Sequence, residues 1–184
     1  NQHRMMRSSL GSLRKEGFRH IHVLRSPEEV DAAKVTRTPL WTDKKHLHGP
    51  FDIIGDVHGC ADELETLLTT MGYAVGERRE GVGLDAGPVY RHADGRQAVF
   101  VGDLVDRGPR VLDTLRIVRN MVDVDSGLCV MGNHEQKLLR ALQGRNVQIT
   151  HGLGESLAEI EALPAGDRPA VTEALKTWLD GLIS

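Results

Sequence analysis

The spacing of apolar positions changes several times along the chain, and each change marks an element. From Arg4 to Phe18 the pattern is that of a basic helix ending near Gly17, and His20–Leu24 alternates as a short strand does. Ser26-Pro27-Glu28-Glu29 is a helix start, with Ser26 as N-cap, Pro27 at the first position and Glu29 completing a capping box; that helix is predicted to run to about Lys34. Residues 36–50 hold two prolines, scattered charges and no period, which predicts a linker and a domain boundary. Phe51–Ile54 then reads as a short buried strand, and Leu64, Leu67, Leu68 and Met71 place Ala61–Met71 on an amphipathic helix. Residues 76–96, rich in Gly and Asp, predict a hairpin excursion. Gln97–Val101 is the next strand, Val111–Val122 a helix, Leu128–Met131 a third strand and Gln136–Gln143 a helix, followed by helices over Glu155–Leu163 and Ala170–Ile183.

The result is strand, polar turn, helix, three times over, with no internal repeat. Open α/β sheets collect ligands beyond the C-terminal ends of their strands. Each predicted strand here stops on a glycine followed by a polar residue: Gly55-Asp56, Gly102-Asp103, Gly132-Asn133.

Composition narrows the class. In 184 residues, 40% apolar and 27% charged content is that of an ordinary globular protein, and 4% aromatics leaves the core to Leu, Val, Ile and Ala. No run of about 18 apolar residues predicts a membrane span, and two cysteines, Cys60 and Cys129, are too few for a disulfide scaffold. Those features predict reduced thiols and a cytoplasmic location. Residues 1–25 contain six basic residues and one acid, net +5, which leaves −8 on the remainder of a chain whose total is −3. Such a split marks either a nucleic-acid-facing segment or a solvated helix face.

The strand ends supply Asp56 and His58, then Asp103, Asp106 and Arg107, then Asn133 and His134. Carboxylate, imidazole and amide oxygen together suit divalent Mn, Fe or Zn. These donors exceed what a single hydrolytic metal takes from three strand ends. A pair of ions about 3.5–4 Å apart, sharing one carboxylate, accounts for the surplus and activates water for in-line attack on phosphorus. Arg107 supplies a planar fork for phosphoryl oxygens. Each motif alone is a turn or a helix start. Their ordered recurrence, each after a strand and a glycine, points to one composite site.

Gly55-Asp56-Val57-His58-Gly59, Gly102-Asp103-Leu104-Val105-Asp106-Arg107-Gly108 and Gly132-Asn133-His134-Glu135 resemble the three N-terminal signatures of calcineurin-like metallophosphoesterases, in their phosphoprotein-phosphatase form. The resemblance implies an α/β fold, the N-terminal half of a metallophosphoesterase sandwich. It further implies that Asp56 and His58 hold one metal, Asp103 bridges two, and Asn133 binds the other. Arg107 would bind the phosphoryl group, and His134 would protonate the leaving oxygen, oriented by Asp106. The cofactors implied are two divalent ions, Mn first, with Ni, Fe or Zn also suited.

A second resemblance spans nearly the whole chain. Phe51–Cys60, Gly132–Arg140 and Asn146–Leu153 are similar to the phosphatase module of bacterial polynucleotide kinase-phosphatases, and Gly17–Val30 to the end of their kinase module. It implies residues 1–35 as a kinase remnant, 36–50 as linker and 51–184 as the first part of the phosphoesterase domain. The partners implied are RNA ends carrying a 2′ or 3′ phosphate or a 2′,3′-cyclic phosphate, together with an RNA 2′-O-methyltransferase.

Two departures qualify that likeness. No Walker A sequence is present, so no working kinase is expected. The family takes two further metal-binding histidines from downstream, whereas the only histidine after His134 is His151, whose place matches a local motif. The chain is therefore expected to be an internal fragment, weakly active or inactive by itself. The same metal chemistry also serves diadenosine-tetraphosphate hydrolases and serine/threonine protein phosphatases. A non-catalytic binding module is the reading from another class.

Overall fold

The structure is a computed structural model that describes residues 12, 13, 15, 16, 20–40 and 42–182. The chain divides into two compact units, Asn1–Asp43 and Lys44–Ser184. In the first, helix α1 (Pro27–Ala32) begins on Ser26, whose Oγ accepts from Glu29 N at 3.2 Å. Glu29 turns its carboxylate onto Arg25 N, one residue before the cap, at 2.6 Å. Residues 20–25 form no strand: alternation alone makes none without a neighbour to share its hydrogen bonds, and among the described residues none is paired with them. Most of the predicted Arg4–Phe18 helix lies outside the described residues.

The second unit carries β1 (Phe51–Ile54), α2 (Ala61–Thr70), β2 (Tyr73–Arg79), β3 (Gly87–His92), β4 (Gln97–Phe100), α3 (Val111–Asp123), β5 (Gly127–Cys129), α4 (Asn133–Leu142), α5 (Leu153–Glu161) and α6 (Arg168–Asp180). Strands β1, β4 and β5 form a parallel sheet in that order, and their ends are level: Ile54 pairs with Phe100, and Phe100 with Cys129. Parallel neighbours require crossover connections, here through α2 and α3. The three polar loops therefore leave the same end of the sheet.

The predicted hairpin excursion becomes a second sheet, the antiparallel β2–β3 ribbon, which the sequence reading did not count as one. Tyr73 and Tyr90 anchor it: both rings are buried, and their hydroxyls donate to Asp52 Oδ2 at 2.9 Å and Glu65 Oε2 at 3.1 Å. Ser126 Oγ donates to Tyr90 O at 2.6 Å.

The core is aliphatic. Helix α3 contributes Val111, Leu115, Val118 and Met121, and α2 contributes Leu64 and Leu68. Leu138 of α4, Leu153 of α5 and Leu175 and Leu179 of α6 complete it. Truncating any one of these fully buried leucines to alanine costs about 2–5 kcal/mol. Strand β1 departs from expectation, because Ile53 is 66% exposed and only Ile54 is buried. It is an edge strand, so its outward positions gain cover only from elements beyond the sheet. Helix α4 starts at Asn133, three residues before the predicted Gln136, and Gly132 is its cap. The earlier start draws Asn133, His134 and Glu135 into the first helical turn. Among the described residues no helix is long and apolar enough to cross a membrane.

Candidate active site

The loop after β4 is built around a buried carboxylate. Glu135, fully buried in the first turn of α4, accepts four backbone N–H groups: Asp103 at 2.8 Å, Leu104 at 2.7 Å, Val105 at 3.1 Å and Gly132 at 2.8 Å. Two of those donors, Leu104 N and Val105 N, are buried and would otherwise be orphaned. Glu135 thus locks the loop after β4 to the one after β5. The two backbones meet so closely that a Cβ on Gly102 would lie 2.5 Å from Gly132 N.

The loop after β1 is laced to the same segment. His58 N donates to Asp103 O at 2.9 Å, Gly59 N to Leu104 O at 2.7 Å and Gly108 N to His58 O at 2.8 Å. Gly108 has no alternative here, since a Cβ would stand 2.3 Å from His58 O. Asp56, His58, Asp103, Asp106, Arg107 and His151 all adopt left-handed backbone, at φ from 47° to 74°. Only one other non-glycine residue among those described, Asp125, does so. Each such residue costs of order 1–3 kcal/mol, and strain of this kind gathers at functional sites.

These loops bring His58, Asp103 and His134 together, with one ligand atom from each lying within 4.8 Å of the others. The His58 and His134 rings meet edge to face, 4.7 Å between centroids. His58 Nδ1 lies 2.9 Å from Val105 O, which fixes that nitrogen as the donor and leaves Nε2 with its lone pair toward the cluster. Asp103 Oδ1 accepts from His134 N at 3.3 Å, which holds the carboxylate at the mouth of α4. His134 Nδ1 donates to Asp106 Oδ2 at 2.6 Å, and Asp106 is wholly buried. The other carboxylate oxygen, Oδ1, accepts from Ser156 Oγ at 2.6 Å, and Ser156 Oγ in turn accepts from Asp106 N at 2.9 Å. The His58 imidazole and the Asp103 carboxylate, each with one polar atom committed to a protein partner, fit a borderline divalent ion.

Of the expected metal set Asp56, His58, Asp103 and Asn133, the structure groups His58 and Asp103, with His134 beside them. Asp56 is exposed and lines a shallow cleft of about 290 Å³ with Cys60, Glu63 and Leu67. Asn133 is exposed at the first position of α4, beside His134. Arg107 is also exposed, and among the described residues its guanidinium has no hydrogen bond or ion pair. Its backbone N donates to Gly152 O at 3.4 Å.

Two contributors were missed from sequence. Glu135 stands within the third motif without a role there, and Ser156 lies outside every motif. The capping-box spacing ahead of α4 could have flagged Glu135. No local signal marks Ser156, which sits 50 positions from its partner. Helix α5 also clasps α3: Glu159 accepts from Val111 N at 2.6 Å and Leu112 N at 3.1 Å. Burial pushes the Glu159 carboxyl above its ordinary range, although both backbone donors act the other way.

The chain is similar to known proteins. The profile of the calcineurin-like phosphoesterase family matches residues 49–175. The asymmetrical bis(5′-nucleosyl)-tetraphosphatase PrpE of Halalkalibacterium halodurans is 46% identical over 126 residues, which cover 68% of this chain and 47% of that protein. Its namesake in a Geobacillus species is 45% identical over 120 residues (65% and 45%), and that of Bacillus subtilis 40% over 123 residues (67% and 46%). The chain spans about half the length of these curated relatives. The matched segment contains every loop described above, and the chain belongs to the calcineurin-like phosphoesterase family.

Proposed function

We propose that the domain within Lys44–Ser184 hydrolyses phosphate groups attached to nucleotides, using two divalent ions, with dinucleoside tetraphosphates as its first substrate class. The observation that carries the reading is the convergence of His58, Asp103 and His134 beside the buried Asp106 and the unpaired Arg107. The substrate class is supported by the relatives, which carry a tetraphosphatase name.

Asp103 would be shared between two ions, with Asp56 and His58 on one side and Asn133 on the other. When bound, the ions neutralise charge on the phosphoryl group and lower the pKa of the attacking water. Arg107 grips two phosphoryl oxygens through its fork. His134, with Nδ1–H committed to Asp106, presents Nε2 to the leaving oxygen and gives up a proton as the P–O bond breaks. The left-handed turns at Asp103, Asp106 and Arg107 aim these groups before substrate arrives, so little reorganisation accompanies the reaction.

RNA ends are the second reading. It is favoured by the unit Asn1–Asp43, which lies outside the family-matched segment and holds the basic stretch of residues 1–25. On this reading the partners are RNA with a 2′ or 3′ phosphate and an RNA 2′-O-methyltransferase. Turnover of diadenosine tetraphosphate, an RNA 3′-phosphate end, a 2′,3′-cyclic phosphate end and a phosphopeptide, each with Mn²⁺, separates the readings. The tetraphosphatase reading requires the highest kcat/KM on diadenosine tetraphosphate. A tenfold preference for the RNA ends would replace it, and no turnover of any phosphate compound would overturn both.

A further inference from the structure

We infer that Ser156 is a positioning residue for proton transfer, the third member of a relay Ser156–Asp106–His134; the inference rests on the reading that His134 protonates the leaving oxygen. Asp106 is the only member that touches both others. It is wholly buried, and so is Ser156. One carboxylate oxygen takes the His134 Nδ1–H at 2.6 Å and the other takes the Ser156 hydroxyl at 2.6 Å. The hydroxyl is itself oriented, because its oxygen accepts the Asp106 backbone N–H at 2.9 Å. Its proton can therefore serve only the carboxylate, and the ring formed by Asp106 N, Ser156 Oγ and Asp106 Oδ1 fixes the side-chain torsions of the aspartate.

That fixation has a consequence for the reaction. Asp106 holds left-handed backbone at φ 74° and belongs to a loop that must also place Arg107, at φ 66°. A carboxylate with one oxygen unpartnered could rotate, and His134 would lose the orientation that keeps Nε2 on the leaving oxygen. Outer partners of this kind change activity about 10–100-fold when removed. Ser156 sits on α5 one turn before Glu159, which caps the N-terminus of α3 through Val111 N and Leu112 N. One short helix therefore sets both the aspartate and the start of the helix that follows its loop. Gly152, at the entrance of α5, receives the Arg107 N–H. The relay thus extends the site to a part of the chain that contributes no predicted ligand.

Ser156→Ala tests this with two readouts. The first is the ring proton on His134 Nδ1, a far-downfield resonance assigned by its disappearance in His134→Ala. It is expected in the wild-type chain, lost or moved upfield in Ser156→Ala and in Ser156→Val, and restored in Ser156→Thr, which matches Val in shape but keeps the hydroxyl. The second is leaving-group dependence with Mn²⁺. For an alkyl phosphate, whose leaving oxygen needs a proton, kcat should fall about 10–100-fold with KM within about twofold. For 2,4-dinitrophenyl phosphate, which needs none, the loss should stay under about threefold. An unchanged resonance in Ser156→Ala, equal loss across both leaving groups, or Thr behaving as Val would each overturn the relay. Absence of wild-type turnover on every phosphate compound would overturn the proposed function instead, and the resonance would still decide the relay.

Discussion

The two sides of the site are built on opposite principles. On one side lie Asp106, His134, Glu135 and Ser156, none more than 7% exposed, with their side-chain polar atoms, His134 Nε2 apart, engaged by other parts of the chain. On the other lie Asp56, Asn133 and Arg107, all exposed, and among the described residues no side-chain hydrogen bond or ion pair ties them to the protein. The buried side is satisfied internally, so its geometry holds whether or not a ligand is bound. The exposed side is left open to external charge: cations for the aspartate and asparagine, phosphoryl oxygens for the arginine. His58 and Asp103 stand at the seam, each with one polar atom committed inward. Buried groups of this sort govern stability and aim together, whereas the open ones govern ligand binding and turnover with little effect on stability.

Substitution can break that comparison, and the largest effect is expected at Glu135. Glu135→Gln replaces an acceptor oxygen with an amide that points N–H at N–H, and the chain should lose about 3–5 kcal/mol, read as the urea midpoint. A loss under about 1 kcal/mol would mean that the four N–H groups find other partners. Arg107→Ala comes next and moves a different quantity. Turnover of a phosphate ester should fall about 10²–10³-fold, while the urea midpoint shifts by no more than about 0.5 kcal/mol. A comparable loss of stability would move Arg107 to the structural side.

The smallest effect concerns Asp52, a control whose side chain is engaged by Arg96 and Tyr73 and not by either side of the site. Hydrogen bonding from Arg96 holds its carboxyl below the ordinary carboxylate range, and Tyr73 adds to the effect. A depressed folded-state pKa contributes stability that is present above the ordinary Asp range and is lost as pH falls through the folded value. The stability difference between wild type and Asp52→Asn should therefore be largest near neutral pH and vanish in acid. A difference that grows on acidification would contradict the pairing.

What could be read from the letters alone follows the same division. The open side was legible because its signals are local: a glycine, a polar residue and a preceding apolar run. Asp56, Asp103, Arg107 and Asn133 each stand in a short motif that is a turn or helix start by itself, and the recurrence of that motif after three strands singles them out. The buried side was legible only in part. His134 and Asp106 stand at the strand ends and take their roles from the family likeness, while Glu135 and Ser156 act across 30–32 and 50 positions, distances at which no periodicity connects residues. The fold shows a parallel limit. Helices α2 and α3 match their apolar spacing to within a residue or so, since that spacing is itself the burial pattern. His20–Leu24 has alternation without a pairing partner among the described residues, and Ile53 belongs to an apolar strand whose edge position leaves it exposed. Both depend on neighbours that a local pattern does not contain.

Mn²⁺ binding to the chain and to its Asp103→Asn variant, followed by titration calorimetry, bears on the central claim most directly. The seam carboxylate shared by the two sides should be indispensable, so the variant should bind at least about 100-fold more weakly than wild type, while Asp52→Asn binds as wild type does. Equal affinity in the Asp103 variant would mean that the loops after β1, β4 and β5 do not form a metal centre.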